Sequence, residues 1–226
     1  LSVIKEGLTD PDVMQRVYNG DFGLTYTAEG TQVTEEILNS NIDITYRLPN
    51  THKGPCLIGI DPGSRIHYTI WYQNFEHERW DLVCAGWTRT EEGLHDVIAQ
   101  YNVQCGGIDA GPELELVRRL KQKYNWLWSV DYTKGDASTQ TKEKVHLSER
   151  RISVNRTYEM DFVKSWLTRK SARLPIGIDK HDGGPFTLQN ATGACKYDAI
   201  RDCYVWDEGS SDDHYYHTIV YFSTGA

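Results

Sequence analysis

The sequence predicts an α/β domain built on a mixed sheet flanked by helices, and three observations predict it. Three strand-like runs rich in aromatic and β-branched residues follow one another closely between Cys56 and Trp87, near enough to pair as antiparallel hairpins. Beyond them, apolar runs alternate with stretches of helical period, so the later strands should lie parallel across helical crossovers. The 226 residues, 39% hydrophobic and 25% charged, supply a sizeable core. No apolar run approaches the roughly 20 residues that span a bilayer.

Residues 1–54 read as a leading segment. Thr9-Asp-Pro11 is a helix start, with Pro11 suited to the first turn. Residues 22–34 have the composition of a loop or short strand, Thr34 to Leu38 allow a helical turn or two, and Arg47 to Pro55 is a turn-rich boundary. The organised domain is expected over 55–226. Leu57 to Gly59 enter a buried strand that ends at Asp61-Pro62-Gly63, and His67 to Trp71 and Leu82 to Trp87 are the next two strands. Thr90 caps a helix whose Leu94, Val97, Ile98 and Tyr101 form one apolar stripe. Cys105 to Asp109 is a short buried strand. Pro112 opens a helix with Leu114, Val117, Leu120 and Tyr124 facing inward, and Trp126 to Tyr132 is the strand after it.

Lys134 to Lys144 is polar and aperiodic, a loop pattern. Arg150 to Arg156 is extended. Thr157 caps a helix with Met160, Val163 and Leu167 inward, and Pro175 to Gly184 is loop. Thr187 to Trp206 suggests a strand or two, and an amphipathic last helix follows Ser210-Ser211.

The net charge of −8 is unevenly spread. Arg118 to Arg173 hold 14 Lys and Arg against 6 Asp and Glu, while the remainder holds 10 against 26. A basic middle suits an anionic substrate on one face, although solvated helix faces would give the same count. The five Cys (56, 84, 105, 195 and 203) are odd in number and form no CxxC pair, which reads as buried thiols in a reducing compartment. No secretory signal pattern opens the chain. Its first residue is Leu, as expected of part of a longer protein.

Three acidic points stand where elements begin or end. Asp61 closes Cys56-Leu-Ile-Gly-Ile-Asp61, Asp109 closes Cys105-Gly-Gly-Ile-Asp109, and Asp212-Asp213 open the last helix. Gathered carboxylates repel unless a cation holds them, and hard oxygen donors suit Mg²⁺ or Mn²⁺. One or two such ions would activate water for phosphodiester cleavage. Each point also has a local explanation: Asp61 and Asp109 in Gly- and Pro-containing turns, Asp212 and Asp213 at a helix dipole. His217 lies one helical turn after Asp213 on the same face and is a secondary candidate, as ligand, water-orienting group or core histidine. There is no GxxxxGK[ST] phosphate loop and no GxSxG elbow.

The ordered set GIDPGS, a helix, GGIDAGPE, a basic stretch with RRISVNRTYEMDFV, and SSDDHYYHTIVYF resembles the nuclease domain of the large terminase subunit of tailed viruses, over about residues 55–226. The segment VMQRVYNGDFGLTYTAEGTQVTEEIL resembles the stretch that joins the motor to the nuclease in such proteins. The resemblance implies a ribonuclease H-like fold and an endonuclease that cuts concatemeric viral DNA during genome packaging with little sequence preference. Asp61 and Asp109 match the first and second acids. Asp213 matches the acid at the final helix, with Asp212 as its neighbour and substitute ligand. The family often continues that motif as Asp-His and, after two residues, another Asp. Here that last position is His217.

Implied partners are double-stranded DNA, an ATPase motor domain of the same protein, the small terminase subunit and the capsid portal, in the host cell cytoplasm and with no membrane. Lys142, Lys144, Arg150, Arg151 and Arg156 of the basic middle are candidate backbone contacts. A structure-selective nuclease such as a Holliday-junction resolvase, or a non-catalytic DNA-binding or assembly module, are the alternatives.

Overall fold

Three antiparallel strands form the centre of a nine-stranded sheet in the computed structural model, which describes residues 33–133, 144–180, 186–191, 195–198, 203–206 and 213–225. They are β2 (His52–Pro62), β3 (Ile66–Asn74) and β4 (Arg79–Thr88). Parallel strands extend the sheet from β2 through β5 (Tyr101–Asp109), β6 (Leu127–Thr133) and β8 (Arg151–Asn155), with β7 (Lys144–His146) antiparallel at the edge. On the other side β9 (Ala172–Pro175) and β1 (Ile42–Asp43) add in parallel, giving the order β1-β9-β4-β3-β2-β5-β6-β8-β7. This is the mixed sheet expected, with its antiparallel first three strands.

The helices are α1 (Glu35–Asn39), α2 (Glu91–Gln100), α3 (Leu114–Lys123), α4 (Arg156–Thr168), α5 (Phe186–Ala191) and α6 (His214–Thr224). Strand residues alternate between two cores. Ile58, Ile60, Ile70, Val83 and Ile108 pack with α2 and α3 through Leu94, Ile98, Val117 and Leu120. Trp71 and Leu82, each next to a residue of that set, point the opposite way and pack with α4 and α6 through Met160, Val163, Leu167, Ile219 and Phe222. By the same alternation Gly59 and Asp61 of β2, and Gly107 and Asp109 of β5, face the α6 side.

Several local expectations are corrected. Leu114 is the first residue of α3 and 69% exposed, and Leu116 joins Val117 and Leu120 on the buried face. Asn155, not Thr157, caps α4: its side chain accepts from the Tyr158 amide. Thr187 to Trp206 does hold the two strands expected, the hairpin of β10 (Cys195–Asp198) and β11 (Cys203–Trp206), but the short helix α5 ahead of them was not foreseen. The last helix is not amphipathic, since every residue from Tyr215 to Phe222 is buried. Thr34 does cap a short helix, and Val33 and Leu38 enter the core. Thus α1 and β1, inside the stretch read as a leading segment, pack onto the sheet.

Arg173 holds the β4–β9 edge: its guanidinium donates to both carboxylate oxygens of Asp81, at 2.9 and 2.6 Å, and stacks on Tyr46. Cys56, Cys84 and Cys105 are free thiols, and burial pushes Cys56 up to about 12 and Cys84 to about 11, so both stay protonated. Among the described residues no helix is long and apolar enough to cross a membrane. The helix expected from Thr9, most of the Lys134–Lys144 loop, Lys142 and Asp212 lie outside the described residues.

Candidate metal centre

Two glycines explain how α6 reaches the strand ends. A Cβ at Gly59 would collide with the carbonyl oxygen of Thr218, and one at Gly107 with that of Tyr221. Bare backbone at both points lets the helix lie directly across β2 and β5. That contact brings the first turn of α6 to the C-terminal ends of the two strands.

Asp61 ends β2 and is 8% exposed. Asp109 ends the neighbouring parallel strand, one residue past the Ile60–Ile108 pair, so the two carboxylates project from adjacent strand ends on one face. Burial pushes the Asp109 carboxyl above its ordinary range, and the Asp61 charge pushes the same way. The Gly111 amide, which donates to Asp109 Oδ1 at 3.2 Å, opposes this together with His217 and Tyr221. A half-buried carboxyl raised by its neighbour is one that a cation would return to its charged form.

His214 and His67 complete the centre. His214 Nδ1 lies 2.7 Å from Asp61 Oδ2. Its ring stacks on that of His67, with centroids 4.4 Å apart and 7° between planes. His67 is the β3 residue paired with Asp61 across the hairpin. Asp61, His67 and His214 each offer a ligand atom within 4.8 Å of the others.

Asp213 stands just before α6 and leads to a second network. Tyr132 and Tyr221 are phenols that burial holds far above their ordinary range, so both stay protonated, and the Tyr132 hydroxyl hydrogen-bonds with His217 Nδ1 at 2.9 Å. The other ring nitrogen, Nε2, donates to Asp213 Oδ2 at 3.2 Å, since a carboxylate only accepts. The Arg156 guanidinium lies 3.4 Å from the same nitrogen and over the Tyr132 ring. Burial raises the Asp213 pKa, but the His217 hydrogen bond and charge, joined by Arg156, outweigh it and hold the carboxyl below its ordinary range. With both ring nitrogens engaged, His217 serves here as a hydrogen-bonding bridge between β6 and Asp213 rather than as an open ligand.

The structure thus sets Asp61 and Asp109 on adjacent strand ends within reach of each other's charge and joins Asp213 to His217, while the residues within ligand distance of one another are Asp61, His67 and His214. His67 and His214 were not anticipated. The Asp-Asp-His string ahead of α6 was a signal for His214. For His67 the signal was hairpin register, since a three-residue loop after Pro62 pairs Asp61 with it.

The basic candidates divide. Arg156 reaches the centre. Arg150 spends its guanidinium on the carbonyls of Lys121, Tyr124 and Leu127. Arg151 pairs with Glu149 at 3.0 Å, and Lys144 is exposed on β7.

The donor set fits a divalent cation. Asp61, His67 and His214 supply one carboxylate and two imidazoles, a mixed oxygen and nitrogen set that suits Mn²⁺, and the Asp109 carboxylate on the next strand adds the hard oxygen character that Mg²⁺ prefers.

The chain has the fold of large terminase nucleases. The nuclease of the large terminase from the thermophilic phage G20c, solved with bound magnesium, superposes with a TM-score of 0.54 at 10% identity, covering 86% of this chain and 97% of that one. The large terminase from the thermophilic bacteriophage D6E superposes with a TM-score of 0.53 at 13% identity, covering 92% of this chain and 49% of that one. Its complex with ATP-γ-S gives 0.51 at 14% identity, over 94% and 51%. The chain therefore spans about half the length of the D6E protein. No protein-family model and no curated protein matches the sequence.

Proposed function

We propose that this chain is a divalent-metal-dependent endonuclease that hydrolyses double-stranded DNA, as the nuclease half of a large terminase cutting concatemeric viral DNA during packaging with little sequence preference. The observation that carries this reading is the pair Asp61 and Asp109 at adjacent strand ends, under the first turn of α6, in a fold shared with a magnesium-bound terminase nuclease.

In this reading Asp61 and Asp109 hold the cation, and Asp213, with Asp212 as its neighbour, is the third acid. When bound, the cation supplies a water of lowered pKa and offsets charge on the phosphate. His214 fixes the Asp61 carboxylate through its 2.7 Å contact. Tyr132 and Asp213 fix the His217 ring, and Arg156 brings a cation to the place where phosphate charge develops. Residues 1–54 would lead from an ATPase motor domain, and the small subunit and portal would be partners of the whole protein.

Supercoiled plasmid with Mg²⁺ or Mn²⁺ is the test. The wild type should nick and linearise it, EDTA should stop the reaction, and Asp61→Asn and Asp109→Asn should each lose at least about a hundred-fold in rate, the scale of removing one group that stabilises transition-state charge. Undiminished cutting by both variants overturns the assignment.

A further inference from the structure

Away from the carboxylates, a groove of about 420 Å³ lies between α3 and the start of β8. Arg118, Lys121, Arg150 and Arg151 line it, together with Ala110 at the end of β5 and Ser129 of β6. Its charges are incompletely neutralised. Lys121 Nζ donates to the Ser129 hydroxyl at 2.8 Å and to the Glu149 carbonyl at 2.6 Å, both neutral acceptors. Arg150 likewise donates only to main-chain carbonyls in its hydrogen bonds. Arg118 and Arg151 pair with Glu115 and Glu149, whose side chains are largely exposed. Four cations therefore meet two carboxylates. Burial and then the Arg150 charge lower the Lys121 pKa, and Glu149 offsets only part of that effect.

We propose that this groove, on the α3 face of the sheet, binds backbone phosphates of duplex DNA as a positioning site. Two features fit it to a phosphate oxyanion. Lys121 has a third proton beyond the two already donated. The guanidinium of Arg118 faces the groove with donors left over from its contact to one oxygen of Glu115. A neutral or cationic ligand would gain nothing from four crowded cations. The choice of duplex DNA rests on the nuclease reading.

The test is binding, read apart from cutting. Fluorescence anisotropy of a labelled duplex is measured in Ca²⁺ over a salt series, with Asp61→Asn as the parent. Arg118→Gln and Arg151→Gln should each weaken binding roughly three- to ten-fold and reduce the salt slope by about one. Arg169→Gln, on the exposed end of α4, should leave both unchanged. Circular dichroism and melting of each variant confirm that the fold is kept. Parent-like affinity and slope in both groove variants overturn the proposal, as does an equal loss in Arg169→Gln. A chain that never cuts but shows this pattern fails the nuclease reading and keeps the groove. A chain that cuts without the pattern does the reverse.

Discussion

Gly59→Ala should unseat α6 and disable the site without touching an ionisable group. The added Cβ would collide with the Thr218 carbonyl oxygen and stand 2.8 Å from the Phe222 amide nitrogen. Neither atom is the far end of a flexible side chain, and α6 has little room to retreat because all eight residues from Tyr215 to Phe222 are buried. Overpacking against fixed backbone costs about 2–3 kcal/mol, toward the upper end for one added carbon. In a chain of this size that lowers the melting temperature by roughly 4–12 °C. Shifting the helix also stretches the 2.7 Å contact between His214 and Asp61, so stabilisation by Mn²⁺ in the same melt should shrink. Gly63→Ala is the control, because there the nearest atom to a new Cβ is the Arg65 carbonyl oxygen at 3.6 Å, an ordinary contact. Thermal melts with and without Mn²⁺ read both variants. Equal melting temperatures for Gly59→Ala and Gly63→Ala would refute the packing argument.

Asp109→Asn should stabilise the metal-free protein and abolish its stabilisation by Mn²⁺. A raised carboxyl pKa means that stability falls as pH rises from the unfolded value through the folded one, and Asn removes that loss. Melts across pH 3–7, a range of about one to three units around the ordinary carboxylate value, check the sign. Asp213→Asn should do the opposite, costing roughly 1.5–3 kcal/mol at neutral pH for a charged hydrogen bond. Because the Asp213 pKa is depressed, its contribution is present above the unfolded value and lost as pH falls through the folded one, so wild type and variant should converge in acid. Urea titrations read this directly. Tyr132→Phe should cost about 1 kcal/mol and change the imidazole nitrogen shifts of His217 in NMR, since Nδ1 loses its hydrogen-bond partner. Leu116→Ala should cost about 2–4 kcal/mol, whereas exposed Leu114→Ala should stay within about 0.5 kcal/mol.

The sheet's centre was legible because its strands are long and their neighbours close in sequence. Aromatic and β-branched runs separated by short turns gave β2, β3 and β4, and the helical stripes after Thr90 and Pro112 required β5 and β6 to be parallel. The edge was not legible: β1 has two residues and β9 four, too short for any period, and each is placed by tertiary pairing alone. Leu114 and Leu116 lie two residues, about 200°, apart around α3, and it is Leu116 that shares the buried face of Val117 and Leu120. In α6, Tyr, His and Thr suggested a polar face. Burial on all sides is possible because their polar atoms find partners inside, as Thr218 does with Thr69 and Tyr216 with the Met160 carbonyl.

The position where the resembled motif carries another acid, and this chain carries His217, shows how the site keeps its charge. An Asp there would place a carboxylate one turn into α6. His217 instead hydrogen-bonds with the Tyr132 hydroxyl through one nitrogen and donates from the other to Asp213, one turn back on the same face. The negative charge therefore sits at the start of the helix, where unpaired amides favour it and Arg156 adds a cation. Nitrogen donors near Asp61 then come from His214 and His67, not from His217. In the proposed mechanism the consequence is separable by variant. Loss of His214 should weaken Mn²⁺ binding itself. Loss of His217 should leave the Asp61 contacts in place and act on Asp213, whose carboxyl would rise toward its ordinary range once its donor is gone.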